Sequence, residues 1–471
     1  MCDRRNGPAA LLGERKCFNM TDNTIIKRDH EWMHDPINSR FFIRRHPVIG
    51  TVVLLAVAAL LGIQYFYWWR YKPVEISEEN FPDPVFRREI ARFDDDNDGV
   101  LSVAELRSVT EIDVACDRMR YLDEEGALRV KGDGDPITSL KGIEYFMALE
   151  ALNCDNNDLS QLDVSHNREL KSLSCSGNNL ATLDVSHNKE LVELNCSGIF
   201  FDFSDPNEAL SFTSNGTLTA LDVSKNTKLE TLACMGQKLT KLDVRKNKKL
   251  TVLFCSGNHL TELMIGRAPL LEKLDCEHNR LTALDLSSAQ ALKSLNCEYN
   301  RLTELDLSRA QELTELRCGY NALARLDVQS NYDLVRLDLQ NNKLTEIRVY
   351  GNRKLAELDC GGNPIRELDV TNNAKLTTLD VRHTELSKLD VSKNLNLQFL
   401  NYWGTQVKTM DFSHHAYLTT LHTDRPNLVK GTGRECVVRT EEQFLEHNAE
   451  IKQKRAEREA EEAAKKAVVE E

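Results

Sequence analysis

Leucine returns along this chain at a fixed interval. From Leu229 the leading residue of an apolar cluster steps through Leu250, Leu271, Leu292, Leu313, Leu334, Leu355, Leu376 and Leu397 to Leu418, always 21 residues apart. Leu149, Leu170 and Leu191 precede it at the same spacing, giving 13 units. Residues 292–302 read Leu-Lys-Ser-Leu-Asn-Cys-Glu-Tyr-Asn-Arg-Leu, an L-x-x-L-x-C-x-x-N-x-L frame that reopens at Leu271 and Leu313 and, more loosely, at Leu149, Leu170, Leu250 and Leu355. A unit this short cannot bury its apolar face alone, so its copies must stack into a solenoid with one strand each.

A period of this length with this frame is the leucine-rich-repeat signature. The expected fold is an α/β repeat solenoid, a leucine-rich-repeat horseshoe with a parallel concave β-sheet over 147–430. Within each strand, x-L-x-C-x, alternation sends Leu295 and Cys297 inward and Ser294, Asn296 and Glu298 to the concave face. The cysteine slot holds Cys154, Cys175, Cys196, Cys234, Cys255, Cys276, Cys297, Cys318 and Cys360, then Leu339, Val381 and Tyr402. Replacement by apolar residues, with no accompanying base, marks these thiols as small buried hydrophobes. Asp163, Asp184, Asp222, Asp243, Asp285, Asp306, Asp327, Asp369, Asp390 and Asp411 form a second column in Leu-Asp-Val-Ser-like segments. Without glycine-rich calcium-roll spacing, they are expected to bond backbone N–H groups in a turn. One unit carries 17 extra residues between Gly198 and Leu218, including Phe200, Phe201, Phe203 and Phe212, rings expected to pack against the solenoid.

Ahead of the repeats, 47–69 is 23 residues without a charge, long enough to cross a hydrocarbon core as a helix. Arg40, Arg44 and Arg45 precede it and an aromatic cluster, Tyr65 to Trp69, closes it. The basic flank predicts a single-pass membrane protein, with residues 1–46 a cytoplasmic tail and the repeats extracytoplasmic. Residues 70–80 read as a juxtamembrane linker, 81–146 as a small helical cap, and 431–471 as a charged helix or tail in which Phe444 and Leu445 cover the last strand.

The cap contains Asp-Asp-Asp-Asn-Asp-Gly-Val-Leu-Ser-Val-Ala-Glu at 94–105. This is an EF-hand pattern: Asp94, Asp96 and Asp98 at loop positions 1, 3 and 5, Gly99 at the turn, the Val100 carbonyl at 7, Ser102 at 9 and Glu105 at 12. A hard cation needs six or seven oxygens, and a loop of this length supplies them. The expected cofactor is a structural Ca2+ ion that folds the lid over the first strand, with Ile137, Leu140, Ile143 and Phe146 continuing the core into the first repeat.

A net charge of −13 disfavours nucleic acid as a partner. Function should lie in residues that vary between units. Phe254, His278, Tyr299, Arg317, Tyr320, Arg336, Arg382, Phe399 and Trp403 gather on the later repeats and are of the types that dominate protein-binding hot spots.

The repeat, with cysteine in the ladder position followed by Leu-Asp-Val-Ser, resembles the cysteine-ladder leucine-rich repeats of the internalin family of bacterial surface proteins. Phe81-Pro82-Asp83 through Glu105, followed by Ile137 to Phe146, is similar to the N-terminal cap of such proteins. The resemblance spans about 81–428. It implies an extracytoplasmic, adhesion-like binding protein whose concave face takes a protein or glycoconjugate. The alternatives are a calcium-responsive surface scaffold or sensor, and a repeat-bearing effector enzyme. The enzyme would need a nucleophile–base pattern that the segment after the repeats lacks.

Overall fold

The structure, a computed structural model, describes residues 72–440 except 117–118, 123–127, 132–133, 203–210, 215, 267, 425–428 and 432–435, together with Gln443. The span expected at 47–69, Phe444 and Leu445 lie outside the described residues. Among those described, no helix is long and apolar enough to cross a membrane.

Each unit is one coil, numbered here 1 to 13 from Leu149 to Leu418. Each contributes a three-residue strand, such as Ser294–Asn296, to one parallel sheet. The register is strict: Leu295 lies between Leu274 and Leu316, so the central leucines form one buried column from Leu152 to Leu421. The cysteine slot lies just past each strand and faces inward. Its nine thiols are at most 2% exposed and unpaired.

The coils return through turns rather than helices, and the helices of the described residues lie in the cap. This corrects the α/β expectation. About half of each 21-residue unit remains after the strand, and side-chain hydrogen bonds hold that half in turns. All ten column aspartates accept the backbone N–H two residues on, as Asp285 does from Ser287 at 2.9 Å. Where present, the frame asparagine straps its coil to the predecessor. Asn300 donates to the carbonyls of Cys276 (2.9 Å) and Cys297 (3.2 Å) and accepts from the Leu281 N–H (2.9 Å). A second asparagine, in the return turn, does the same: Asn188 donates to the carbonyls of Val164 and Asn167, both at 2.8 Å. Alanines 268, 289 and 310 take that slot in three consecutive units.

The sheet has 15 strands, two more than the repeats supply. Glu111–Asp113 of the cap pairs with Ala151–Asn153 at one edge. At the other, Val437–Arg439 pairs with Thr420–His422, so the segment read as the start of a charged tail extends the sheet.

In the cap, α1 (Pro84–Ile90) is capped by Asp83, which accepts from Val85 and Phe86 N–H, both at 3.0 Å. The other oxygen of Asp83 accepts from Thr138 N and Oγ1, both at 2.8 Å, fastening α1 to the segment that enters coil 1. Burial raises the Asp83 carboxyl, but these hydrogen bonds outweigh it and hold the group below its ordinary value. Phe81, Phe86 and Phe146 are fully buried, with the Phe81 ring centroid 6.1 Å from that of Phe86 and 6.5 Å from that of Phe146. Gly142, at φ +106°, leaves room for the Phe81 ring, which a Cβ there would meet at 2.3 Å. Ile137, Leu140, Ile143 and Phe146 are buried against the first coil as the pattern required. Val74–Glu75, within the expected linker, forms a strand antiparallel to Val100–Leu101.

Two hairpins stand apart from the main sheet. Met119–Leu122 with Leu128–Lys131 comes from the cap, and Ile199–Asp202 with Ser211–Ser214 from the insertion. Tyr121 and Leu122 pair with Phe201 and Asp202, so the two form one four-stranded sheet.

Candidate binding face and the acidic loop

The outer face of the main sheet presents three rows of side chains: the first and third residues of each strand, and the residue after the inward slot. One position further on, the backbone turns into the left-handed region. Gly177, Gly236, Gly257, Gly362 and Gly404 occupy that position with φ between 63° and 68°, and Asn156 and Asn341 at 58° and 52°. These are the residues such a turn prefers.

In three consecutive coils the position instead carries His278, Tyr299 and Tyr320, at φ 49°, 51° and 53°. A bulky residue there costs about 1–2 kcal/mol. The three rings stack on one another, with centroids 4.1 Å apart and planes within 9° at both contacts. Each stacked pair returns about 0.5–1.5 kcal/mol, so stacking offsets much of the strain. Tyr299 and Tyr320 stand past the strand ends, aimed by the turn, and form one rigid ridge rather than separate anchors. His383, at φ 53°, leans on Trp403 with centroids 5.4 Å apart, and Phe399 meets His422 edge-on at 5.1 Å. Phe254 lines an open depression of about 160 Å³ with Asp275, Asn296 and Arg317.

The arginines are engaged within the face. Arg336 grips Glu357 with two nitrogens, at 2.7 and 2.9 Å, and reaches Glu315 at 3.3 Å. Arg317 bonds Glu315 at 3.0 Å. Arg382 holds Asp380 and the Gln340 amide, the latter at 2.8 Å, and lies 3.7 Å from Asp359. Of the nine residues expected on this face, His278, Tyr299 and Tyr320 form an aromatic ridge, Phe399 and Trp403 stand in a second aromatic group, and the three arginines neutralise neighbours.

What the sequence reading passed over is what those arginines neutralise. Asp275, Asp338, Asp359 and Asp380 occupy the third strand position, with Glu277 and Glu298 in the adjacent row, against two guanidinium groups, Arg317 and Arg382. Burial, then the charge of Glu277, pushes Asp275 up to about 7. Burial, then Asp338 and Glu277, pushes Glu298 up to about 7. Asp338, Asp359 and Asp380 are raised too, chiefly by burial. The turn aspartates behave oppositely: hydrogen bonds from the Ser287 hydroxyl and N–H hold Asp285 below its ordinary value. Both sets read Leu-Asp in the sequence. The cue was available: in the strand the dipeptide precedes the slot (Leu274-Asp275-Cys276), in the turn it follows the frame leucine.

The slot cysteines are buried as small hydrophobes. Burial pushes Cys196 up to about 12 and raises its ladder neighbours further, so no thiolate forms near neutral pH.

In the cap loop, Asp94, Asp96 and Asp98 bring carboxylate oxygens within 4.8 Å of one another. Asp94 accepts from Gly99 N–H at 2.9 Å, and Asn97 and Gly99 sit at φ 57° and 83°. Val100 lies in the short strand and Ser102 caps α2 (Val103–Ser108). Glu105 turns back to accept from Asp95 N–H (2.8 Å) and Ser102 N–H (2.7 Å), a capping box that also serves to close the loop. The donor set suits a hard, oxygen-seeking cation: three close carboxylates, in which the hydrogen bond from Asp98 N–H lowers Asp96 but the charge of Asp98, slight desolvation, the hydrogen bond with the Asp94 side chain and the charge of Glu105 together raise it.

No family model matches the chain, and no curated protein matches it in sequence. Among solved structures it is similar to the functional domain of InlJ from Listeria monocytogenes, which includes a cysteine ladder. The two are 30% identical with a TM-score of 0.60, over 75% of this chain and 76% of that one. It is also similar to an internalin (inlF) from Listeria monocytogenes, at 19% identity and a TM-score of 0.55 over 79% of this chain and 98% of the other, a likeness of fold.

Proposed function

The chain belongs to the internalin family of leucine-rich-repeat proteins, and from that premise we propose that it is a binding protein whose sheet face, between coils 5 and 12, takes a protein ligand. The observation that carries this is the stacked ridge of His278, Tyr299 and Tyr320, bulky rings kept at backbone positions that favour glycine. Strained residues persist where the surroundings over-determine them, and such places cluster at ligand clamps. A protein ligand is favoured over a glycoconjugate because both faces of Tyr299 are covered by its neighbours. The ridge therefore offers ring edges and hydroxyls to side chains, with little open face for a sugar ring.

The reading includes an anchor at 47–69 with the repeats outside the cell, and a structural Ca2+ ion in the cap. Asp94, Asp96, Asp98 and Glu105 would hold it, with the Val100 carbonyl and Ser102. Bound there, it supplies charge that relieves carboxylate repulsion and fixes α1 against α2.

The test is capture of surface proteins by the full chain, comparing wild type with Tyr299→Ser/Tyr320→Ser and with Tyr332→Ser, a control at an exposed turn outside the strands. Capture lost in the first and kept in the control is the expected result. Equal capture by all three overturns the assignment to this face. A reporter fused after Glu471 should be active only outside the cell.

A further inference from the structure

We propose that the ligand segment seated on this face is a cationic polypeptide, whose lysine or arginine side chains reach the row formed by Asp275, Glu298, Asp338, Asp359 and Asp380. The proposal rests on the binding reading above and names the partner's chemistry.

Three observations carry it. First, Glu298 is 8% exposed, and among the described residues no side chain or backbone N–H donates to its carboxylate, which meets water on the open side of the face. A largely enclosed carboxylate that relies on water alone gains when a ligand cation brings donors. Its geometry is specific: Oε1 leans over Gly319, where a Cβ would come within 2.9 Å, so the glycine makes room for the carboxylate on the outer face. The nearby cation, Arg317, already holds Glu315.

Second, the charges are spread in a line. Neighbouring strands lie about 4.8 Å apart, so coils 6 to 11 set these carboxylates along about 24 Å, too far for any single ion to bridge. Among the described residues, three carboxylates converge closely enough for one metal only at Asp94, Asp96 and Asp98. A chain crossing the strands, with a cationic side chain delivered every few residues, matches the spacing.

Third, the row is unbalanced and half-enclosed. Six carboxylates, counting Glu277, stand in these two rows against Arg317 and Arg382, and the depression beside Asp275 is lined by Phe254 and Glu315, with Lys273 and Arg317 at its margin. That combination suits a lysine: an apolar wall for its stem and carboxylates for its head. The ridge runs alongside and would border the same segment.

The experiment uses the full chain in nanodiscs and a fluorescein-labelled peptide of alternating lysine and serine, with a glutamate–serine peptide as control. Binding is read by anisotropy, and its location by carbodiimide coupling of peptide amines to protein carboxylates, followed by mass spectrometry. Non-specific attraction to a protein of net charge −13 would couple first to the exposed turn aspartates such as Asp184 and Asp306. The proposal expects coupling concentrated on 275–380 strand carboxylates, and affinity about tenfold weaker in Glu298→Gln/Asp338→Asn/Asp359→Asn. These substitutions preserve shape, and unchanged or raised melting will show the variant folded. Coupling scattered over the turns, or a triple variant that binds the peptide like wild type, overturns the proposal. Should that occur while protein capture still depends on Tyr299 and Tyr320, the binding face stands and only its charge preference is wrong. If capture is indifferent to those tyrosines as well, both readings fall.

Discussion

Replacing Glu298 by glutamine should stabilise the solenoid, by an amount that grows as pH rises above about 4.5 and levels off above about 7. The side chain is nearly buried and lacks a hydrogen-bond donor, and burial with Asp338 and Glu277 raises it from 4.5 to about 7. At 1.36 kcal/mol per tenfold change in proton affinity, its ionisation above pH 7 weakens the folded state by up to about 3 kcal/mol. Water reaching the carboxylate from the open side screens part of this, leaving about 1–2 kcal/mol. The sign follows from linkage. Between pH 4.5 and about 7 the folded state holds a proton that the unfolded chain has lost, so stability falls as pH rises through that window and levels off above it. Glutamine cannot ionise and removes the penalty. Urea denaturation of wild type and variant at pH 8 and pH 4.5 should give a gain of about 1–2 kcal/mol at the higher pH and almost none at the lower. A variant less stable than wild type at pH 8, or a difference that ignores pH, would mean that the carboxylate has a donor in solution and that the strip is an ordinary polar surface.

The other expectations can be checked on the same material. Asp83→Ala removes the N-cap of α1 and the tie to Thr138, and should cost about 1–2 kcal/mol. Because the Asp83 carboxyl is held below its ordinary value, that contribution is present above pH 4 and fades as pH falls through the folded value. Leu295→Ala opens a cavity in the leucine column and should destabilise by about 2–5 kcal/mol in chemical denaturation. Tyr299→Gly relieves a strained turn but removes two stacked contacts, so stability should change by less than about 1 kcal/mol while ligand capture is lost. Calcium should raise the melting temperature of the wild type and not of Glu105→Gln. Melting of the wild type unchanged by chelator would dispose of the ion.

A half-buried row of carboxylates that outnumber the arginines beside them is a poor way to stabilise a sheet, and perturbed ionisable groups gather where ligands bind. The neighbouring coils show that the fold does not require it: the same strand position holds Ser174, Ala233 and Phe254 elsewhere.

The sequence by itself determined the solenoid. A 21-residue period with leucine at each inward position allows one economical burial, by stacking, and the central leucines from Leu152 to Leu421 align as the period required. It also determined the inward slot, because Cys297 and Leu339 are interchangeable only in a core, and the turn role of Asp285 and its counterparts, because an aspartate two residues before a serine bonds that residue's N–H. Local chemistry sufficed for each. Only the tertiary structure decided the face. Whether a Leu-Asp pair lies on a strand or in a turn depends on its place in the coil, and its neighbours on that face lie 19, 21 or 42 residues away. Arg336 finds Glu357, and Arg382 finds Gln340, only once the coils are stacked. The stack of His278, Tyr299 and Tyr320 likewise arises because a left-handed turn recurs at the same height in successive coils. The two edge strands, Glu111–Asp113 and Val437–Arg439, lie outside the period altogether and are recruited by unpaired backbone at the ends of the sheet, which no repeat frame encodes.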